Sequence, residues 1–289
     1  MSNQLIKKAF VCGWPIEHSR SPIIHSYWLK KYGLDGTYEK IAVAPDHLQA
    51  FLNDMNTSGF VGGNFTIPHK ENIRFSLFRI DVAAKAIGAV NTVWLENENL
   101  IGGNTDWLGF SANMDQWANE WDNPERLKKP AIILGAGGAA RGILYALQQR
   151  GFEKIILVNR TKSNADKIAN EFLGDVSAAS LEEISDLPLD ISILVNTTSL
   201  GMSGKNELPK NLIAYLNQIA KDAIVNDIVY IPLQTELLKV CAKANLKTVD
   251  GLGMLLHQAV PGFERWFGMK PEVTQELRDL VLEDIRKTV

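Results

Sequence analysis

The 289-residue chain is 46% apolar and 22% charged, with a formal net charge of −3 at pH 7. Its length exceeds one domain of usual size, so two are expected, and its charge balance speaks against a broad nucleic-acid footprint. Cys12 and Cys241 are too far apart for a disulfide framework or metal-ligand spacing, and the first ten residues lack the apolar core of a signal peptide or membrane span, so buried thiols in a cytoplasmic protein are expected.

Residues 8–12 read as a strand, 22–31 as a helix with Pro22 in its first turn, and 37–43 as a second strand. Over 46–56, Leu48, Phe51, Leu52 and Met55 recur at helical spacing, which marks core positions. Residues 60–65 return to the sheet, and 89–95 with 100–103 form a hairpin turned at 96–99. A helix over 106–117 closes this first α/β segment, which has its own mixed sheet. The polar stretch 115–130, with Pro124 and Pro130, marks the crossing to a second domain.

Ala131-Ile132-Ile133-Leu134 is an apolar run between Pro130 and Gly135, the pattern of a short strand buried on both faces of a parallel sheet. It breaks into Gly135-Ala136-Gly137-Gly138-Ala139-Ala140. Gly135 would make a tight turn, and Gly137 would let backbone amides approach a pyrophosphate at the N-terminus of the helix beginning near Gly138. Ala140 supplies the third small position, where that helix packs on the strand. Glycines also serve ordinary turns, so the context matters. A helix closed by Gly151 and a second buried run over 154–159 complete a βαβ unit.

At the end of that second run, where an acidic residue would favour NAD, stand Asn159-Arg160-Thr161-Lys162. A guanidinium and a hydroxyl there suit a 2′-phosphate, so NADP is expected, a solvated basic turn being the alternative. Further buried runs at 191–196, 223–227 and 246–249 imply a doubly wound parallel sheet. Two terminal helices, over 251–267 and 272–286, are expected to return to the first domain and leave a substrate cleft between the domains. The expected ranges are 1–115, completed by 252–289, and 116–251.

Several polar residues stand where a strand or turn would present them to a ligand. Ser19 and Ser21 precede a helix, and Ser21 by itself reads as its N-cap. Asn64 and Thr66 share one face of an extended segment, and Lys70 follows a turn at Pro68; a lysine there is ordinarily solvated unless polar partners gather around it. Asn91, Asn104, Thr105 and Asp106 end the hairpin strands and are candidate partners. Lys70 and Asp106 together would make a proton relay, a contact that spacing alone does not establish. His25, His69 and His257 read as structural or solvated, and the five histidines show no metal-ligand spacing, so no metal is implied.

Five stretches of the sequence, taken together, resemble the shikimate dehydrogenase family: Ser19-Arg20-Ser21-Pro22-Ile23-Ile24-His25, Asn64-Phe65-Thr66-Ile67-Pro68-His69-Lys70, Gly88-Ala89-Val90-Asn91-Thr92, Gly103-Asn104-Thr105-Asp106, and the run from Asp250 through Gly251, Gly253 and Met254 to Gln258. Gly135 to Ala140, Asn159-Arg160-Thr161 and Asn196-Thr197-Thr198-Ser199-Leu200-Gly201 resemble its cofactor half. The resemblance implies a substrate domain, a Rossmann-like NADP domain, and NADPH-dependent reduction of 3-dehydroshikimate to shikimate in aromatic amino-acid biosynthesis. It places catalysis on Lys70 and Asp106, and substrate contacts on these two with Ser19, Ser21, Asn64, Thr66, Asn91, Tyr230 and Gln258. Cofactor contacts fall on Gly135, Ala136, Gly137, Gly138, Ala139, Asn159, Arg160, Thr161, Thr197, Thr198, Ile228, Gly251 and Met254.

A small polyol acid needs a dense polar cradle, and serine hydroxyls bind a carboxylate without adding a full charge. Where many members carry an arginine, three residues beyond Thr161, this chain has Asn164; Lys162 or Lys167 would have to substitute. The alternatives are a dual quinate/shikimate dehydrogenase using NAD and a non-catalytic shikimate-sensing module. The expected partner is a small-molecule substrate, with no nucleic acid or membrane, in a monomer or homodimer.

Overall fold

The structure is a computed structural model that describes residues 6–55, 57–201 and 207–288. Residues 1–5, 56, 202–206 and 289 of the expected ranges lie outside the described residues. The chain divides into two units, one holding the residues up to Thr105 and again from Leu256, the other Asp106–Leu255.

In the first unit, β1 (Lys7–Gly13) is followed by α1 (Ser21–Tyr32), β2 (Gly36–Ala42), α2 (Leu48–Asp54) and β3 (Phe60–Phe65). Then come β4 (Arg79–Ile80), α3 (Val82–Ile87), β5 (Thr92–Glu96) and β6 (Asn99–Gly103). The strands form one sheet in the order β2-β1-β3-β5-β6-β4. The pairs of β1 with β2 and β3 are parallel, whereas β5 pairs antiparallel with β3 and β6, so the sheet is mixed. Phe10 anchors its core, meeting Phe51, Phe60 and Phe65 edge-on at centroid distances of 5.1, 5.0 and 5.5 Å. The β5–β6 hairpin closes through Asn97 and Glu98, both left-handed (φ 48° and 66°), a two-residue turn whose hand follows the strand twist.

The second unit opens with α4 (Asp106–Trp117) and α5 (Pro124–Lys128). It continues through β7 (Ala131–Leu134), α6 (Gly138–Arg150), β8 (Lys154–Asn159), α7 (Lys162–Glu171), β9 (Asp175–Ser180) and β10 (Ile193–Asn196). The last elements are α8 (Lys210–Gln218), β11 (Ile224–Asp227), α9 (Glu236–Lys243), β12 (Lys247–Val249) and α10 (Leu252–His257), within which the border of the units falls. Every strand pair is parallel and the order is β12-β11-β10-β7-β8-β9, doubly wound with its reversal between β7 and β10. Alternate residues of β7 feed opposite cores: Ile133 packs with Phe110, Leu144 and Leu147, and Ile132 with Leu194, Tyr215 and Leu216. The reversal places a crevice at the carboxyl ends of β7 and β10.

The chain then returns to the first unit as α11 (Val260–Phe267) and α12 (Gln275–Thr288). From α11, Trp266 Nε1 donates to Val93 O at 2.9 Å, in a space left by Gly62, whose own Cβ would strike the indole. Around α12, Trp28 Nε1 donates to Glu272 O at 3.0 Å and Arg20 pairs with Asp284 at 3.0 Å.

Three local expectations are corrected. The helix expected over 251–267 is two, interrupted at Gln258-Ala259, because Pro261 lacks an N–H and is tolerated only in the first turn of α11. Ser21 is the first helical residue of α1, not its N-cap; Arg20 holds that position and makes no side-chain cap bond. The helix expected over 46–56 starts as a 3-10 turn at Pro45–His47 and becomes α-helical at Leu48. Moreover α4, read from sequence as the end of the first segment, packs within the second unit, where Phe110 and Met114 join the core of α6 and Trp121.

Candidate active site

The first unit gathers its polar side chains where β3 and β6 end and β5 begins. Pairing sets Asn64 opposite Thr92, and Thr92 opposite Gly103, so Asn91 and Thr105 lie just beyond the same edge. Their side chains, all buried, form one directed chain of hydrogen bonds. Tyr38 Oη donates to Asn64 Oδ1 at 2.6 Å, and Asn64 Nδ2 donates to Thr92 Oγ1 at 3.0 Å. Thr92 Oγ1 donates to Asn91 Oδ1 at 3.0 Å, which also accepts the Thr105 amide at 2.8 Å. Asn91 Nδ2 donates to Thr105 Oγ1 at 3.1 Å, whose hydroxyl donates to Gln258 O at 2.8 Å. Buried groups so fully paired are fixed in direction as well as place.

Ser21 joins this network by bonding the Tyr38 oxygen, and burial holds the Tyr38 hydroxyl well above its usual pKa, so it remains a neutral donor. Ser19 lies one step away: its Oγ accepts the Ser21 amide at 3.4 Å. Thr66 is tied to β1 through its amide, which donates to Cys12 O at 2.9 Å. Lys70 is half-buried, and its carbonyl accepts the Val90 amide at 2.8 Å, which fixes its backbone one residue from Asn91. Beside it, the buried His69 ring is held on Val43 O at 2.7 Å. His25 is fully buried and stacked on Tyr38 at 3.9 Å, and burial pushes its pKa down to about 3, which keeps the ring neutral and structural. Asp106 follows Thr105 in the chain and begins α4. Tyr230 belongs to the other unit, in the segment after β11.

The second unit builds a nucleotide-shaped turn. Gly135 has φ +112°, and a Cβ there would lie 2.5 Å from Thr197 Oγ1, so glycine answers both the conformation and the close approach. Gly137 caps α6 in extended conformation without a side-chain bond, which leaves the first amides of a 13-residue helix for an anion. Next to it, Thr197 donates to Leu134 O from both its amide and its hydroxyl, at 2.8 and 2.7 Å. Asn159, Arg160, Thr161, Asn164 and Thr198 border a cavity of about 320 Å³ floored by Leu134 and Val158. These residues fit an adenosine carrying a 2′-phosphate: an apolar floor, a guanidinium and hydroxyls. Lys162 pairs with Asp166 at 3.1 Å, so its charge is already answered. Across the sheet, a Cβ on Gly251 would run into the carbonyl of Ile228, which brings those two expected cofactor residues together, while Met254 packs on the α4–α6 core.

Family models agree with this geometry. The shikimate dehydrogenase substrate binding domain matches residues 11–93, shikimate/quinate 5-dehydrogenase matches 122–229, and the shikimate 5′-dehydrogenase C-terminal domain matches 251–280. A shikimate dehydrogenase (NADP+) of Brucella abortus is 52% identical over 281 residues, covering 97% of this chain and 96% of its own. The chain belongs to the shikimate dehydrogenase family. Among solved structures of the fold, shikimate 5-dehydrogenase from Thermus thermophilus in complex with NADP(H) and shikimate matches with a TM-score of 0.80 and 32% identity, over 98% of this chain and 99% of that one. Quinate dehydrogenase from Corynebacterium glutamicum in complex with NAD matches with a TM-score of 0.84 and 27% identity, over 96% and 98%. Family membership makes this chain an oxidoreductase.

Residue typing overlooked Tyr38, Thr92, Asn196 as a side chain, and Asp227. The first two carry the network between expected substrate residues. Asn196 Oδ1 accepts the amide and hydroxyl of Thr198 at 3.1 and 2.7 Å, and so shapes the turn that holds Thr197 and Thr198. The signals for Asn196 and Thr92 were their places in the Asn196-Thr197-Thr198 and Asn91-Thr92 stretches, whereas Tyr38 looks like an ordinary strand residue.

Proposed function

We propose that this chain catalyses the NADP(H)-linked interconversion of 3-dehydroshikimate and shikimate. The observation that carries this reading is the directed network from Ser21 through Tyr38, Asn64, Thr92, Asn91 and Thr105 to Gln258, a preset neutral cradle against which Lys70 is pinned. It suits a ligand that brings several hydroxyls and one carboxylate to polar atoms already fixed in direction. Ser19 and Ser21 take the carboxylate, and Asn64, Thr66, Asn91 and Gln258 take ring hydroxyls.

The cofactor is held by the Gly135–Ala139 turn, Arg160 and Thr161, with Thr197, Thr198, Ile228, Gly251 and Met254 around it; bound there, it supplies or accepts the hydride at the ring carbon. As the carbonyl oxygen gains negative charge, the Lys70 ammonium stabilises it and delivers the proton. Asp106 is the second member of the proposed catalytic pair. In the reverse direction Lys70 receives the hydroxyl proton. The buried free thiols Cys12 and Cys241, each pushed up to about 12 by burial, suit action in the cytoplasm.

Asn164, exposed at the mouth of the cofactor cavity, supports a second reading: a dual enzyme that also takes quinate and NAD, since one phosphate-binding cation is missing there. Initial rates with shikimate and quinate, each with NADP+ and NAD+, separate the two. Turnover chiefly with shikimate and NADP+ is expected. Equal rates with quinate or NAD+ would establish the dual enzyme, and ligand binding without turnover would turn the cradle into a sensor.

A further inference from the structure

A buried carboxylate in the second unit stands outside the reaction just described. Asp227 ends β11 fully buried, and its partners are neutral donors from three places. Its Oδ1 accepts Asn196 Nδ2 and the Val229 amide, each at 3.0 Å, and its Oδ2 accepts Thr235 Oγ1 at 2.7 Å. The Thr235 hydroxyl also accepts the Leu238 amide at 3.3 Å and so caps α9. One carboxylate therefore ties down both ends of the segment 228–235, the segment that carries Ile228 and Tyr230. Through Asn196, which shapes the Thr197–Thr198 turn, it also reaches the end of β10.

Burial pushes Asp227 up to about 6, a cost that a structural apolar residue would avoid. A polar acceptor is required here because no alkyl side chain accepts three hydrogen bonds from two strand ends and a helix cap. Resting on the cofactor and substrate reading above, we infer that Asp227 is a positioning residue: it sets the 228–235 segment and the Thr197–Thr198 turn so that Ile228, Tyr230 and Thr198 are presented together at the carboxyl edge of the sheet. Its work is geometric. An asparagine can do it, accepting from Val229 and Asn196 through its oxygen and donating from its amide to the Thr235 oxygen.

The test uses the full chain as wild type, Asp227→Asn, Asp227→Ala and Thr235→Val, with KM and kcat for shikimate and NADP+ and amide hydrogen exchange over 227–238. For Asp227→Ala the KM for shikimate should rise about tenfold with a smaller change in kcat, the worth of lost positioning bonds. Exchange through 228–235 should accelerate, and Asp227→Asn should restore both readouts to within about twofold. A merely structural role would lower the folded, active fraction, reducing kcat and leaving KM alone. Unchanged KM and exchange in Asp227→Ala, or an Asp227→Asn variant as impaired as Asp227→Ala, overturns the inference. If Asp227→Ala does not fold, Thr235→Val decides, raised KM and faster exchange supporting the clamp and wild-type values overturning it. A wild type that does not turn over shikimate refutes the proposed reaction, and the exchange comparison still decides the clamp.

Discussion

Lys70 owes its position to backbone contacts around it. Its carbonyl is bonded to Val90 and its neighbour His69 to Val43, so the ammonium springs from a fixed point beside a neutral, fully paired cradle. Lys70→Ala removes the proposed acid and leaves that cradle intact. Turnover is expected to fall about 10²–10⁴-fold, with the KM for shikimate within a few-fold, as measured by steady-state kinetics; near-wild-type kcat would take Lys70 out of the reaction. Lys70 and the asparagines stood out in sequence as polar residues after a proline turn and at strand ends, but their roles came from the family resemblance and not from residue type. By type alone Tyr38 and Thr92 did not stand out, because a strand tyrosine or threonine looks the same whether its hydroxyl meets water or an asparagine two strands away. Only the register that sets Asn64 against Thr92 distinguishes the cases. Asp227 was hidden similarly: the sequence shows it as the last residue of the buried run 223–227 and nothing in it says what the carboxylate meets.

At the scale of elements, the β7–α6 turn shows how far a pattern of apolar residues and glycines carries. The strands at 131–134 and 154–159 and the helix at 106–117 appear at the bounds read from sequence, because each is a buried run ended by glycine or a polar turn. The polar edge strand β9 (DVSAAS) has no hydrophobic period to announce it, and the short β4 exists only by pairing with β6. Within the turn, Gly135 has two duties, a left-handed φ and room for Thr197. Gly135→Ala is therefore expected to cost about 1–2 kcal/mol of backbone strain and to displace Thr197. Thermal melting should fall by several degrees, and the Kd for NADP+ should rise about tenfold or more in a fluorescence titration. A variant that melts lower but binds NADP+ normally would show that the turn is structural only.

For the molecule as a whole, chain order and unit membership diverge. The polar stretch 115–130 catches the eye as a crossing, yet the packing boundary lies at Thr105, because α4 buries Phe110 and Met114 against α6. Met254 and Gln258 are four residues apart but fall in different units, a division that only the contacts of α10 and α11 reveal. Each unit completes its own core: Phe10, Phe65, Val90 and Val93 in one, the two faces of the β7 sheet in the other. All the expected NADP-binding residues lie in Asp106–Leu255, whereas the expected substrate residues are shared, Asp106 and Tyr230 standing in that unit and the others in the first. A ligand stabilises the structure that binds it, by about 2.7 kcal/mol at a hundredfold excess over Kd. Calorimetry with NADP+ alone should therefore raise the melting of the unit Asp106–Leu255 and separate it from the other, while shikimate added to the NADP+ complex should raise the transition of the unit that holds the polar cradle. A single transition that moves as a whole with NADP+ alone would mean that the two cores unfold as one cooperative body, and that binding at the Gly135 turn stabilises the substrate cradle as well.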